Sequence, residues 1–509
     1  MHKIAVIGVG TAGLTSLSHL LAYLPDDWKV YSIHNPNINV LGIGESSGID
    51  IPRNLYKGTR FNIFDDSHEI DATIKRGMKY VNWRKEDIMM SIVPPSYGIH
   101  FNNIKLKDFC LGRFESIWKN KFNTIHGNVD SIESNENCVD IVIDGINYEF
   151  NYVIDCRGYP EDYSDYVMSD VIPVNACQVN LKPEPGSWNY TYSIAHEHGW
   201  MFGVPTSTHQ GWGYLYNDQI SSKDEAYKFF AKRNSVKEED LTLRELKFKN
   251  YYAKTYIDRR IIKNGNRAMF LEPIEAVAGH FYDQVMRYFF DYLLGNIQAN
   301  EMNQSLLNLA KDIESHIAYI YHGGSIYNTE FWRITKEKCT DHLNNDPRFI
   351  AHINQLKGMT KSDRSNYATF GMFGPSTWED LDVHPILKAL TLENGIFFVA
   401  LPLMRRYGGV ALTTTASDIS TDETVHVLQH REAVVSLRLK VTPEMDKLRQ
   451  GVIRWLVGDF NDGKVNSDTV MKSSDDLYYR GVTSSLDWNM STSMPAFFEV
   501  ENSALPYYN

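Results

Sequence analysis

Basic residues never cluster in this 509-residue chain: no run of five lysines or arginines occurs, and the formal net charge is -12. A general nucleic-acid surface is excluded, because such a surface needs a concentrated positive field. Cysteine is scarce and odd in number. Cys110, Cys138, Cys156, Cys177 and Cys339 are scattered, and no two are spaced as CxxC. That pattern offers no cysteine zinc site and no disulfide frame, and it leads us to expect reduced thiols in the cytoplasm. Long apolar runs are missing as well. The longest, Ile396 to Met404, is too short to span a bilayer. No signal peptide is read at the N-terminus, where the apolar run belongs to a glycine motif. There is no internal repeat, no low-complexity tract and no Pro/Gly/Ser linker. Hydrophobic residues make up 43% of the chain, so it is a globular protein with enough length for a large core.

The feature that stands out is at the start. His2 to Ile7 is a short apolar run, followed by Gly8-Val9-Gly10-Thr11-Ala12-Gly13 and an apolar stretch from Leu14 to Leu24. That order is strand, tight turn, helix. Gly8 permits the turn, Gly10 lets a pyrophosphate approach the backbone, and Gly13 lets strand and helix pack closely. The helix N-terminus then receives the anion. The motif points to an adenine dinucleotide, with a chance glycine turn as the competing reading. Trp28 to Ile33 reads as the next strand. It ends at His34-Asn35-Pro36 with no carboxylate, so His34 or Asn35 is the candidate partner of the adenosine ribose.

The fold class expected is α/β: a Rossmann-like FAD-binding module of the flavin monooxygenase type, with β-rich insertions and a largely helical second half. Residues 123–134 and 138–150 alternate as strands, with a turn at Asp144-Gly145. Tyr152 to Asp155 is an apolar strand ending in a carboxylate, and Gly158 follows. Strand-like aromatic segments run from 170 to 217. Helices are expected near 222–234, 277–297, 301–321, 329–344 and 443–456. The domain division expected is 1–290 for the dinucleotide module and 291–509 for a mainly helical pocket region with a loop-rich tail.

Several short segments share one order and spacing. They are Leu41-Gly42-Ile43-Gly44-Glu45-Ser46, Ala72 to Trp83 around Lys75, and Gly199-Trp200-Met201-Phe202-Gly203-Val204-Pro205. Gly211 to Tyr216, Phe270-Leu271-Glu272-Pro273-Ile274-Glu275 and Glu330-Phe331-Trp332-Arg333 complete the set. Together with the opening glycines they resemble the flavin-dependent halogenases of the tryptophan halogenase family, over residues 1 to roughly 380.

The resemblance implies that reduced FAD from a separate reductase, with O2 and a halide ion, yields hypohalous acid. This acid passes through an internal tunnel to a lysine beside an electron-rich aromatic substrate, indole- or phenol-like. Lys75 matches that lysine. In an apolar tunnel its amine would be desolvated and more often neutral. Lys79, four residues on, is the runner-up. Glu275 matches the family's glutamate, which balances the developing cation and takes the ring proton; it would also suit the N-terminus of the helix that follows. Trp200, Phe202 and Pro205 match a motif that keeps substrate from flavin, with Phe202 where the family has a second tryptophan. Phe331 and Trp332 match a pair near the substrate pocket. Gly8, Gly10, Thr11, Ala12, Gly13, His34, Gly44, Glu45, Asp155 and Gly158 are the candidate cofactor contacts.

After Glu275 the family carries a hydroxyl-bearing, glycine-containing turn. Here it is Ala276-Val277-Ala278, so the halide contacts at Val277 and Ala278 are backbone N–H groups. Chloride holds water most tightly, so a missing donor costs it most, about 1–3 kcal/mol. Bromide and iodide gain more dispersion from an apolar wall. The expectation is bromide or iodide over chloride. Two other readings fit the fold: a single-component FAD-dependent aromatic hydroxylase and a non-catalytic flavoprotein. The partners expected are a flavin reductase, a small aromatic substrate and further copies of the chain, with no nucleic acid, membrane or metal.

Overall fold

The computed structural model describes residues 2–38, 45–92, 96–358 and 384–391, with scattered residues as far as Arg449. Gly44, the run Ile396–Met404 apart from Leu401, and most of the helix expected near 443–456 lie outside the described residues. The chain divides into two compact units, Met1–His352 and Ile353–Asn509. The motifs discussed above as far as Trp332 belong to the first.

The opening strand His2–Ile7 lies inside a six-stranded sheet. Trp28–His34 pairs parallel on one side, with Phe122–His126 beyond it. Tyr152–Asp155 pairs parallel on the other side, followed by Ile261–Lys263. The antiparallel strand Ile257–Asp258 closes that edge. Ile4, Ala5 and Val6 are all fully buried, because both faces of the sheet are covered. The strand's period of two sorts them. Ile4 and Val6 pack with Leu14, Leu17, Leu20 and Leu21 of the helix Thr11–Tyr23. Ala5 and Ile7 pack with Val139, Ile141 and Phe150 of a three-stranded meander. The meander hairpin turns at Asp144 and Gly145, both with positive φ (46° and 79°), the backbone form that such a two-residue connection needs.

A second, seven-stranded sheet is built from the aromatic middle of the chain. Its centre is Ala176–Lys182, Gln210–Tyr216, Gly199–Pro205 and Thr191–His196, antiparallel throughout. Gly77–Val81 joins its edge parallel to Thr191–His196. The helix Lys223–Asn234 covers one face with Ala226, Phe230 and Ala231. A third, small sheet holds Glu45–Ser46, Gly98–Phe101 and Thr73–Lys75. Helices Ala278–Leu293, Ala299–His322, Glu330–Asn345 and Pro347–Gly358 follow in succession. This is the α/β module with β-rich insertions and a helical second half that the sequence leads one to expect. Among the described residues, no helix is long and apolar enough to cross a membrane. All five cysteines are unpaired.

Candidate active site

The glycine turn is built as its residue types require. Gly8 has φ of 96°, where a side chain is strained. A Cβ on Gly13 would lie 1.9 Å from the Gly8 carbonyl oxygen, so helix and strand touch there through bare backbone. Gly10 differs: a Cβ there meets nothing within 4 Å. Its open side faces a cavity of about 860 Å³.

That cavity runs along the C-terminal ends of the parallel strands, where open α/β sheets take their ligands. Gly8 to Gly13, His34, Asn35 and Asn128 line one part, with Cys156, Arg157 and Gly158 beside them. Trp200, Phe202, Val204 and the turn Ala276-Val277-Ala278 line another. Three residues on the wall keep a buried polar atom without a hydrogen bond, His34 at Nδ1, Asn103 at Oδ1 and Arg267 at Nε. Burial and His126 lower the pKa of His34, favouring the neutral ring that can accept. Orphaned polar atoms, an unfilled approach at Gly10 and a helix N-terminus fit a large polar, anionic ligand such as FAD.

Other cofactor candidates are tied into supports. Glu45 is bonded by the Thr11 hydroxyl at 2.7 Å and by Asn103 Nδ2. Its burial raises the carboxyl pKa. Asp155 does not line the cavity. Its carboxylate accepts two hydrogen bonds from the Arg157 guanidinium, each 2.9 Å, and one from the Arg157 backbone N–H at 3.1 Å, and Arg267 lies 3.4 Å away. Arg157 thus turns back onto Asp155.

Lys75 and Lys79 part company. Lys75 ends a strand of the small sheet, whereas Lys79 lies in the seven-stranded one. They do not share a face. Lys79 is partly exposed and paired with Asp87 at 3.2 Å. Lys75 is 2% exposed, and burial pushes its pKa down to about 8 against the opposing pull of Glu275. Its ammonium donates to Ser46 Oγ at 2.8 Å. Ser46 and Thr191 stand on the cavity wall, while Lys75 itself lies behind it.

A single chain of donors continues from there. Ser46 Oγ meets Thr191 Oγ1 at 2.7 Å, and Thr191 Oγ1 meets His100 Nε2 at 3.0 Å. His100 Nδ1 meets Thr73 Oγ1 at 3.0 Å, and Thr73 donates to the Pro205 carbonyl at 2.7 Å. Lys75 only donates and the carbonyl only accepts, so each hydroxyl between them donates onward. His100 therefore carries its proton on Nδ1. Burial and the charge on Lys75 keep its pKa well below the usual value, so the ring is neutral. Lys75 is held in place by neutral groups and one rigid ring.

Glu275 has φ of 62° and Ala276 has φ of 56°. Two successive non-glycine residues in the left-handed region cost on the order of 1–3 kcal/mol each, strain that sites retain where it aims a side chain. The Glu275 carboxylate accepts from Tyr80 on one oxygen and bonds His316 on the other. Burial pushes its pKa up, but His316, Tyr80 and Lys75 together bring it below the ordinary value. The carboxylate is therefore ionised beside a lysine with a weakened hold on its proton.

Trp200 is 1% exposed, and its indole donates to Glu272 at 2.8 Å. Burial raises Glu272 to about 8. Pro205 contributes its carbonyl to the Lys75 chain and does not line the cavity. Phe331 and Trp332 are in the core. Trp332 donates to the His196 carbonyl at 2.6 Å and packs edge-on against Trp83. Sequence reasoning missed Ser46, Tyr80, His100, Thr191 and His316. Ser46 and Tyr80 lie inside segments singled out above, but nothing local marks the other three.

A family model described as tryptophan halogenase matches residues 3–136 and 96–380. The tryptophan 7-halogenase RebH of Lentzea aerocolonigenes is 21% identical over 430 residues, covering 66% of this chain and 79% of that protein. Curated relatives are matched over between 37% and 80% of their own lengths. Among solved structures, Xcc4156, a flavin-dependent halogenase from Xanthomonas campestris, superposes with a TM-score of 0.60 at 17% identity. It covers 67% of this chain and 82% of its own. VirX1 gives a TM-score of 0.60 at 14% identity, covering 96% of this chain and 99% of that one.

Proposed function

Since the chain belongs to the tryptophan halogenase family, whose enzymes use reduced FAD, O2 and a halide, we propose that it halogenates an electron-rich aromatic ring, with Lys75 and Glu275 as the reacting pair. The observation that carries this reading is the state of Lys75: buried, weakened as a base, coupled to Glu275, and bonded to the cavity wall from behind. Gly8–Gly13, His34 and Glu45 would hold the flavin, which, reduced by a separate reductase, would activate O2, and O2 would supply the oxidising equivalent that converts halide to hypohalous acid. Trp200 and Phe202 wall the cavity and keep the aromatic substrate from the flavin. Above pH about 8 the Lys75 amine is neutral, with a lone pair that accepts the halogen or a hydrogen that orients the acid. The ring's π electrons form the carbon–halogen bond as the halogen's bond to oxygen or to the Lys75 nitrogen breaks, its electron pair leaving on that oxygen or nitrogen; the ring then loses its proton to the Glu275 carboxylate, and the C–H electron pair restores aromaticity. Beforehand, the ionised Glu275 stabilises the cationic ring.

Halide choice belongs to the same reading. The helix Ala278–Leu293 has no side-chain cap, and the first-turn residues that line the cavity, Ala278 and Gly279, offer only backbone N–H groups. Ala276, Val277 and Ala278 present an apolar surface to the cavity. Bromide and iodide are favoured over chloride. The test combines a flavin reductase, NADH, FAD, equimolar chloride, bromide and iodide, and a panel of indoles and phenols, read by mass. Brominated or iodinated product that depends on both halide and reductase is expected. Hydroxylated product refutes the activity, and mainly chlorinated product refutes the halide argument.

A further inference from the structure

Glu275 has two hydrogen-bond partners that the reaction above leaves unused, Tyr80 and His316. Its carboxylate side chain is 11% exposed, while His316, bonded to its outer oxygen, is 44% exposed. His316 sits in the middle of the helix Ala299–His322, 41 residues beyond Glu275 in sequence. We propose that His316 is a positioning residue of this site: it holds Glu275 ionised and fixed in orientation, and so sets the acidity range over which Glu275 works as a base. The inference rests on the reading of Glu275 as the ring-proton acceptor.

The argument is electrostatic and geometric. Glu275 projects from a left-handed turn, and its burial alone would favour the neutral acid. Two donors, one to each oxygen, oppose that. Tyr80 is a neutral donor, because burial and Glu275 push its own pKa far above the usual value. Lys75 acts from further off and carries charge only below about 8. His316 is the partner that brings a positive charge into direct contact with the carboxylate near neutral pH. The bond to Glu275 raises its pKa in return.

The surroundings of His316 leave this coupling dominant. Across from it stand Glu275 and, behind that, Tyr80 and Lys75. On its own helix, Asp312 is paired with Arg348 of the helix Pro347–Gly358. Glu314 takes the Tyr252 hydroxyl. From the helix Glu330–Asn345, His342 is bonded to Ser315. A mere staple between helix and turn would not need a titrating group, and the test turns on that difference.

The first measurement is the titration of His316 by 15N imidazole NMR in the wild-type protein and in Glu275→Gln, without substrate. Its midpoint should fall by about one pH unit in the variant; an unchanged midpoint overturns the proposal whatever the turnover. The second is the pH profile of kcat for bromination of indole. In His316→Ala the lower acid step, which Glu275 sets beneath the Lys75 step near 8, should move up by about one pH unit, with kcat on that lower step down by as much as about tenfold and FAD binding unchanged. His316→Gln places an N–H where Nε2 was but brings no charge, so it should keep Glu275 oriented and still leave the lower acid step raised, as in His316→Ala. An unmoved lower step in His316→Ala, or a wild-type lower step in His316→Gln, overturns it. If Glu275→Gln brominates at the wild-type rate, the reading of Glu275 itself fails. If that variant is inactive and His316→Ala behaves as wild type, only the present inference fails. Thermal melts of each variant separate misfolding from these outcomes.

Discussion

Replacing Lys75 by methionine should make the protein more stable while ending its chemistry. Lys75 is 2% exposed, and its pKa drops from the ordinary 10.5 to about 8. Each pH unit corresponds to about 1.36 kcal/mol, so the charged amine costs the fold about 3 kcal/mol at pH 7. Methionine has a similar length and no charge, and it removes that cost. Some of the gain is given back, because Ser46 loses a donor and Glu275 loses a favourable charge. The expected net gain is about 1–3 kcal/mol at pH 7. The sign of its pH dependence follows from linkage. Between about 8 and 10.5 the unfolded chain binds the Lys75 proton and the folded one does not, so wild-type stability from this group rises with pH. The advantage of Lys75→Met is therefore complete below pH 8 and vanishes by about 10.5. Urea denaturation of both proteins at pH 7 and pH 10 measures it. A variant less stable than wild type at pH 7, or a gain that does not shrink by pH 10, would refute the picture of Lys75 as a desolvated amine.

Lys75→Ala should abolish halogenation while flavin oxidation continues, whereas Lys79→Ala, which breaks a partly exposed pair with Asp87, should keep most of the activity; the reverse result moves the role to Lys79. Gly10→Val should fold normally and lose FAD affinity at least tenfold by fluorescence titration, because its side chain enters open cavity space. Gly13→Ala should instead lower the melting temperature, because its Cβ would lie 1.9 Å from the Gly8 oxygen; the opposite pattern would mean the cavity is not the flavin site. Halogenation by the wild type should rise with pH as Lys75 loses its proton around 8, and a rate that falls across pH 7 to 9 with a stable protein would count against the neutral amine.

Local chemistry wrote much of this protein into its sequence. The strand–glycine–helix opening, the Asp144-Gly145 hairpin and the successive helices from Ala278 onward depend on neighbours a few residues apart, where backbone freedom and apolar period act directly. Family motifs, carried in order along the chain, singled out Lys75, Glu275 and Trp200 as candidates without any geometry. The choice between Lys75 and Lys79 was different. Both sit in one alternating stretch, and spacing alone puts them on one face. The chain passes from the small sheet to the larger one at Arg76–Gly77, so one lysine is buried against Ser46 and the other meets Asp87. His100 and His316 follow the same logic. Neither has a local signature, because the partner of each comes from another sheet or helix. A carboxylate in an exposed turn and a histidine on a helix face are ordinary residues until packing removes water from between them. Desolvation and contact across long stretches of chain give Lys75 its weakened basicity and Glu275 its charge, and both arise only when strands and helices distant in sequence are brought together.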